Sequence, residues 1–230
     1  MRRWIRLVPL AVVLGCSSLD EGEAGAVAIE LRVPLPDTVE VSETLQLTAW
    51  GLNANGDSIG LAVTWLTSDP AILTVGSEDG LLTGVSPGSA RVQARSGSLT
   101  SALTSFDVIA PADTLIIVGD SVFDVPADQA ASPPLVVRVE SFNPAGPVIG
   151  RAVIYEITDP PETAAPTVVL PGSVRIDTLT TAADGTVAGV TLARVAGAVA
   201  PPTAIVEIRA SRTRGAVVPG SGQRFIIRFQ

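Results

Sequence analysis

Apolar and polar residues alternate at every second position along most of the chain after residue 26. In residues 61–96, two alternating segments flank a short apolar run, with turn residues at 79–80 and 86–88. A period of two predicts strands with one buried face and one face in water, and such close spacing is typical of a sandwich or barrel. Glu40 and Ser42 are predicted to face water. The predicted inward positions are Val39, Val41, Leu45, Leu47, Ala49, Val63, Trp65, Ala90, Val92 and Ala94.

The second half of the chain alternates in the same way around different residues. Turns are predicted at 143–146 and 183–185, and an expanded proline-rich loop at 159–171. A short link containing proline, residues 111–113, separates the halves and restricts swivelling. We therefore predict an all-β chain of two tandem sandwiches, residues 27–110 and 114–230. The second has predicted inward positions at Leu135, Val137, Val139, Val153, Tyr155, Ile157, Ala188, Val190, Leu192, Ala204, Val206, Ile208, Ala210, Phe225, Ile227 and Phe229.

Composition excludes several classes of function. The 230 residues contain no His and no Lys, and 23 acidic residues outnumber 15 basic ones, all of which are Arg. An acidic chain without a basic run argues against nucleic acid, since affinity for nucleic acid comes largely from phosphate neutralisation. Without His or Lys, the usual nucleophile–base pairs cannot form, and one Cys permits no internal disulfide. We predict no enzyme activity, no cofactor and no metal site.

The first residues have the layout of an export signal. A basic start, residues 1–6, precedes a short apolar run at 7–14, which is too short to span a bilayer at roughly 20 residues. The segment Val13-Leu14-Gly15-Cys16 resembles the bacterial lipobox, in which the Cys is diacylglycerol-modified and becomes the first residue. We expect a signal peptide at 1–15, lipidation of Cys16 and a flexible tether through residue 26, which holds the protein on a membrane without a membrane helix.

The segments at residues 65–72 and 80–90 resemble the bacterial immunoglobulin-like domain of group 2, and the resemblance covers residues 27–109. The resemblance lies in a Trp-containing strand followed by a glycine-rich turn segment, although Ser42 stands where the family commonly has Gly. It implies an immunoglobulin-like sandwich with Trp65 in its core. The matching segments are Trp65-Leu66-Thr67-Ser68-Asp69-Pro70-Ala71-Ile72 and Gly80-Leu81-Leu82-Thr83-Gly84-Val85-Ser86-Pro87-Gly88-Ser89-Ala90.

Four segments of the second half, at residues 134–139, 143–148, 153–155 and 181–188, resemble a second family, the group 1 bacterial immunoglobulin-like domain of invasin and intimin type. The resemblance covers residues 114–229. The resemblance implies a second sandwich of the same class, and it implies adhesion or a spacer role, because many such domains only separate others. Tyr155 replaces the usual Phe of this family. The matching segments are Pro134-Leu135-Val136-Val137-Arg138-Val139, Asn143-Pro144-Ala145-Gly146-Pro147-Val148, Val153-Ile154-Tyr155 and Thr181-Ala182-Ala183-Asp184-Gly185-Thr186-Val187-Ala188.

Trp50 is the most conspicuous candidate for a contact. Parity with Leu47 and Ala49 turns its side chain away from the core. An outward Trp is a large apolar surface that favours a partner. Three interpretations remain: a contact between the sandwiches, a spot that binds sugar or protein, or a parity error at a bulge.

Charged residues suggest little chemistry beyond solvation. Asp120, Asp124 and Asp128 are interpreted as solvated charges, while Asp107 and Asp113 near the link are an alternative place for calcium. The arginines at 91, 95, 209, 212 and 214 are interpreted as aids to solubility and protection of strand edges, with contact to an acidic polysaccharide as the alternative.

These features together favour a non-catalytic envelope lipoprotein. We expect its sandwiches to serve adhesion or interaction, or to act as a spacer, with a membrane at the lipid anchor and an unidentified protein or polysaccharide as partner. Ser17 after the Cys favours the outer membrane. The alternative is a carbohydrate-binding accessory lipoprotein that uses Trp50 or the loop 159–171.

Overall fold

The computed structural model describes residues 25–161 and 165–230, and this part of the chain is built from strands, with one short 3-10 turn at Pro171–Ser173. The predicted signal peptide and Cys16 lie outside the described residues. No helix in the described part is long and apolar enough to cross a membrane. The prediction of an all-β chain of two tandem immunoglobulin-like sandwiches is confirmed.

The first sandwich contains eleven short strands. They are β1 (Ala28–Arg32), β2 (Thr38–Glu40), β3 (Thr44–Gln46), β4 (Thr48–Leu52), β5 (Ser58–Ile59), β6 (Thr64–Thr67), β7 (Leu73–Val75), β8 (Leu81–Gly84), β9 (Gly88–Ser96), β10 (Leu99–Thr100) and β11 (Thr104–Ile109). They form sheets of order β1-β4-β5, β3-β8-β7 and β10-β9-β11-β2, with β6 also paired to β9. The sandwich begins one residue before its predicted start, because Ala26 is fully buried and Val27 N donates to Leu52 O at 2.7 Å.

Trp65 lies at the centre of the first core, as predicted, with 4% of its surface exposed. Gly80 follows the Asp79 turn at φ 69°, and a Cβ at this position would lie 2.7 Å from the Trp65 indole. Only glycine accommodates both the left-handed backbone and the ring, so the fixed glycine of the motif follows from packing. The rest of this core is small and aliphatic, apart from Phe106: Ile29, Val39, Val41, Leu45, Leu47, Leu73, Leu82, Ala90, Val92, Ala94 and Val108.

The second sandwich also contains eleven strands. They are β12 (Thr114–Ile117), β13 (Val122–Val125), β14 (Val137–Phe142), β15 (Ala145–Pro147), β16 (Ala152–Asp159), β17 (Val168–Val169), β18 (Ile176–Thr180), β19 (Thr186–Val187), β20 (Ala193–Arg194), β21 (Thr203–Ala210) and β22 (Arg224–Phe229). The larger sheet has the order β13-β22-β21-β16-β18. The facing sheet has the order β12-β14-β15, with β19 also paired to β14, and β17 pairs with β20.

Tyr155 is the largest fully buried side chain, and it lies in the second core. Its hydroxyl donates to Leu135 O at 3.1 Å, and burial raises the pKa of this phenol. The hydrogen bond explains how a Tyr occupies a position where the resembled family has Phe, because a buried hydroxyl needs a partner. The alternation of β14, β16, β21 and β22 places their predicted residues inward as expected.

Two predictions for the second sandwich differ from the structure. Ala188 is exposed, and Val187 is buried in its place. Strand β19 ends at Val187 and Gly189 has φ 86°, so the alternation does not continue across this break. The proline-rich loop is partly core, because Val168 and Leu170 are buried and β17 pairs with β20.

Both sandwiches close with the same pairing. An early strand lies parallel to the last strand of the unit: β2 beside β11 in the first, and β13 beside β22 in the second. Nearly all other ladders are antiparallel. In each closing strand a valine faces the core, Val39 or Val125, and the neighbouring residue is acidic, Glu40 or Asp124.

Candidate functional site at the joint between the sandwiches

The link between the sandwiches is packed and hydrogen-bonded on both sides. Pro111 and Ala112 are buried, and Ala112 belongs to the core of the second sandwich. On one side Ile109 O accepts from Val41 N at 3.0 Å, and on the other Asp113 N donates to Glu140 O at 2.9 Å. The link is therefore part of both folded units.

A hairpin of the second sandwich reaches the first one across this link. The segment between β21 and β22 bends back at residues 211–217, where Ser211 pairs with Val217 and Arg212 N donates to Ala216 O at 2.7 Å. The tip closes at Gly215, whose φ of 85° suits glycine and whose N donates to Arg212 O at 2.9 Å. We call residues 211–217 the joint hairpin.

Glu40 is the centre of the joint. It lies on β2 between inward Val39 and Val41, so its side chain leaves the first core and meets the second sandwich. Only 1% of Glu40 is exposed. Its Oε1 accepts from Arg151 Nη2 at 2.7 Å, from Thr213 N at 2.9 Å and from Thr213 Oγ1 at 3.0 Å. One carboxylate oxygen of the first sandwich thus receives three donors from the second.

Two arginines of the joint hairpin also lie close to Glu40, in addition to Arg151. Arg212 donates to Asp113 Oδ1 at 2.6 Å, and its other terminal nitrogen lies 3.9 Å from Glu40 Oε2. Arg214 lies 3.3 Å from Glu43 Oε1 and donates to the carbonyls of Pro36 and Thr38, each at 3.1 Å. Three arginines therefore face three carboxylates, and the cluster, which we call the joint cluster, is balanced in charge.

A buried ion pair of this kind contributes specificity more than stability. Desolvation of two charges offsets most of their attraction, but removal of one partner leaves the other buried without a counter-charge, which costs about 3–5 kcal/mol. The side chains of Arg151 and Glu40 are only 9% and 2% exposed. In any other orientation of the two sandwiches, the Arg151 and Glu40 side chains would be unpaired, so the cluster selects one orientation.

The joint corrects three sequence interpretations. Glu40 is buried, although alternation placed it in water, because the joint hairpin covers the outer side of β2. Arg212 and Arg214 are not solubility residues, since both bind the first sandwich or the link. Arg209, by contrast, lies on the outer face of the second sandwich and pairs with Glu156, and Arg91 and Arg95 are exposed.

The two aspartates near the link that were considered for calcium have other partners in the described structure. Asp113 is occupied by Arg212 and by Phe142 N, which donates to Oδ2 at 2.8 Å, while Asp107 accepts a hydrogen bond from Ser89. Within residues 25–161 and 165–230, no group of three or more Asp, Glu, His or Cys residues is placed to hold a metal ion. The positive charges in this joint are those of the arginine guanidinium groups.

Trp50 lies on the outer face of the sheet β1-β4-β5, as parity predicted, with 37% of its surface exposed. The Trp50 ring makes a cation–π contact with the guanidinium of Arg32, which lies 5.3 Å from the ring centroid on the neighbouring strand of the same sandwich. The contacts between the sandwiches are made by other residues, those of the joint cluster. Asp120, Asp124 and Asp128 are exposed, in agreement with their interpretation as solvated charges.

Sequence reasoning missed Arg151, and one weak signal for it exists. It follows Gly150 at the start of β16, where a long cation precedes a strand of apolar residues. The Arg-Thr-Arg run at 212–214, between two predicted strands, is a clearer signal of a polar contact. Neither signal names Glu40 as partner, which lies 111 residues from Arg151.

The chain was compared with curated proteins, solved structures and protein families. No curated protein matches the chain. Among solved structures, the Yersinia pseudotuberculosis adhesin InvE is 16% identical with a TM-score of 0.43, and the match covers 91% of this chain but only 61% of the adhesin.

Two further solved structures match with lower scores. Domains 4 and 5 of the S-layer protein SbsC are 19% identical over 90% of this chain and 99% of that one, with a TM-score of 0.34. The D00-D0 domain of intimin is 12% identical over 87% and 96%, with a TM-score of 0.30. At these scores the matches carry no argument about function. The family model of the bacterial Ig-like domain (group 2) matches residues 34–105, which lie within the first sandwich.

Proposed function

We propose that this protein is a non-catalytic, lipid-anchored component of a bacterial envelope, in which two sandwiches form a rigid spacer for adhesion or for holding another envelope component. The observation that carries the proposal is the joint cluster. A spacer must keep its domains in line, and short flexible links do not do so. Here the link itself is buried, and Glu40 and Arg151 are desolvated only in one orientation.

The membrane anchor is the second part of the proposal. Its support is the sequence: a basic start, an apolar run and a lone Cys16 at the end of that run. Two or three acyl chains on Cys16 hold a protein firmly, since each buried methylene contributes about 0.8 kcal/mol. The residues between Cys16 and the first sandwich could span about 30 Å from the membrane surface. With Ser17 after the Cys, the proposed location is the outer membrane.

Rigidity is tested by a distance distribution between the sandwiches. Spin labels at Asn55→Cys and Asp128→Cys, both exposed and one in each unit, report that distance in the detergent-solubilised full chain. A rigid spacer gives one narrow distribution, which Arg151→Ala broadens. Asp124→Ala, which removes an exposed acid of the second sandwich, leaves the distribution narrow. A broad distribution in the parent chain contradicts the spacer.

The anchor is tested by fractionation. Cys16→Ala releases the protein from the membrane fraction, whereas Ser18→Ala, two residues further on, leaves it there. If Cys16→Ala remains in the membrane fraction, the anchor is not a lipid on this residue. Rigidity and anchoring are independent measurements, so failure of one does not decide the other.

A carbohydrate-binding accessory lipoprotein is the second candidate, and the observation that favours it is the Trp50 surface. The ring is partly exposed on a flat sheet face, with Arg32 above it and Glu30 beside Arg32 at 3.7 Å. Sugars stack on such rings and accept or donate hydrogen bonds at their edges. A glycan array decides: this candidate requires binding that Trp50→Ala abolishes and that Leu66→Ala, another exposed apolar residue of the first sandwich, preserves.

A further inference from the structure

Strand β18 is an open edge of the larger sheet in the second sandwich. It spans five residues, Ile176–Thr180, and within residues 25–161 and 165–230 it pairs with β16 alone. Antiparallel pairing with β16 sets Asp177 opposite Tyr155 and Thr178 opposite Ile154. The other side of β18 faces away from the sheet.

The hydrogen bonds of β18 identify which backbone groups remain free. Ile157 N donates to Arg175 O at 3.0 Å, and Thr181 N donates to Arg151 O at 2.9 Å. Along a strand, residues whose N–H and C=O point to one neighbour alternate with residues whose groups point to the other. The groups of Ile176, Thr178 and Thr180 therefore point outward, with no described partner.

Three other edges of the described sheets carry features that disfavour further pairing. The equally long β1 presents Glu30 and Arg32, and Pro34 follows it. The short β15 ends in Pro147, and Pro126 follows β13. Charge and proline at edges are the usual protection against addition of another strand. Strand β18 has no proline, and its exposed side chains, Ile176, Thr178 and Thr180, are uncharged; its one charge is the half-buried Asp177.

We propose that β18 pairs with β18 of a second copy of this chain, antiparallel, with Thr178 opposite Thr178 of the copy. This register sets every outward-pointing residue opposite another one, so about six backbone hydrogen bonds form and no free donor remains on either strand. The two five-stranded sheets become one continuous sheet. A partner that fills this edge must itself be an extended strand, since the free groups are backbone groups in a row.

The side chains favour a second copy as that strand. In this register Ile176 lies opposite Thr180 of the copy, and Asp177 lies opposite Leu179. The only charge of the strand therefore never meets its like directly, a pairing that would be destabilising. The exposed apolar surface of Ile176 is covered at both ends of the ladder.

Cysteine cross-linking in the intact chain tests this register. In a hydrogen-bonded antiparallel pair, the two Thr178 Cα atoms lie about 5.5 Å apart, while the two Thr180 Cα atoms lie about 14 Å apart along the strands. A short bis-maleimide that spans the first distance but not the second is applied to the purified full chain carrying Thr178→Cys or Thr180→Cys. Both substitutions are on exposed side chains of one strand.

The proposal predicts a product of twice the monomer mass for Thr178→Cys, and none above the parent level for Thr180→Cys. The parent chain treated alike reports any reaction at Cys16. Adding Thr180→Pro to Thr178→Cys removes an outward N–H and abolishes the product, while circular dichroism confirms that the variant remains folded. Equal cross-linking at both positions, none at Thr178, or a product with another protein overturns pairing of two copies through β18. This proposal does not depend on the spacer or the anchor.

Discussion

Each of the two closing strands carries an acid next to a buried valine, and the two acids differ in burial. Glu40 on β2 and Asp124 on β13 each neighbour a fully buried valine, and each strand lies parallel to the last strand of its sandwich. Glu40 is buried under the joint hairpin, with three donors on one oxygen. Asp124 is exposed.

The difference teaches that the local pattern decides which way an acid points, and that the neighbouring domain decides whether it is buried. An outward acid beside a buried valine is a solvated charge in one sandwich and the centre of a joint in the other. Its energetic role changes accordingly, because an exposed charge contributes little and a buried one cannot lose its partner without a large cost.

Replacing the two acids gives the largest expected contrast. Glu40→Ala leaves Arg151 buried without a counter-charge, and we expect the coupling between the sandwiches to fall by about 3–5 kcal/mol. Denaturant unfolding is followed by Trp fluorescence, which reports the first sandwich through Trp65, and by circular dichroism, which reports both. In Glu40→Ala the two curves separate. Asp124→Ala is the matched control and changes the free energy of unfolding by less than about 0.5 kcal/mol.

A second contrast compares two left-handed glycines of the first sandwich, one packed against Trp65 and one with open space around it. Gly80→Ala places a Cβ 2.7 Å from the Trp65 indole at φ 69°, so left-handed strain and overpacking add, and we expect a loss of about 2–4 kcal/mol. Gly56→Ala, at φ 86° with nothing within 4 Å of its Cβ, bears the backbone strain alone and loses about 1–2 kcal/mol. Equal losses in thermal unfolding would mean that the ring can move aside.

Tyr155 tests how the second core differs from the first. Tyr155→Phe removes the hydrogen bond to Leu135 O, and we expect a loss of about 1 kcal/mol. Because burial raises the pKa of this phenol, the unfolded chain ionises first above about pH 10, and stability present below that pH is lost as the pH rises. Tyr155→Phe shows a smaller loss over that range. An identical pH slope in both chains would assign the loss to other groups.

The smallest expected effect comes from two serines in left-handed conformation, one in each sandwich. Ser42 has φ 68° and Ser173 has φ 62°. Glycine removes that backbone strain but raises the conformational entropy of the unfolded chain, and the two effects partly offset each other. We therefore expect Ser42→Gly and Ser173→Gly each to raise the free energy of unfolding by about 0.5 kcal/mol. Ser58→Gly in strand β5 is the control and lowers it by about 0.5–1 kcal/mol. A loss in Ser42→Gly would mean that its side chain has a role.

Most of the fold was predictable, because each strand buries its own alternate residues. Trp65 and Tyr155 were placed correctly from neighbours two positions away, and Ser42 was marked as a place for glycine by a family resemblance that its φ now explains. Prediction failed where the backbone leaves the period of two. Ala188 is exposed because Gly189 at φ 86° interrupts the alternation.

The candidate site was hardly predictable. Glu40, Arg151 and Thr213 come from segments 111 and 173 residues apart, and each sequence interval between them is unremarkable in composition. Arg212 and Arg214 were assigned to solubility because an arginine between two strands looks the same whether it faces water or another domain.

By itself, the sequence determined that the chain forms strands, which faces of those strands are apolar, and where it turns. These follow from local sterics and from the alternation of side chains across a strand. The tertiary structure alone decided that Glu40 is buried, that three arginines belong to the joint, and that β18 remains an open edge. Those outcomes depend on which distant segments come together, and this depends on the packing of the whole chain.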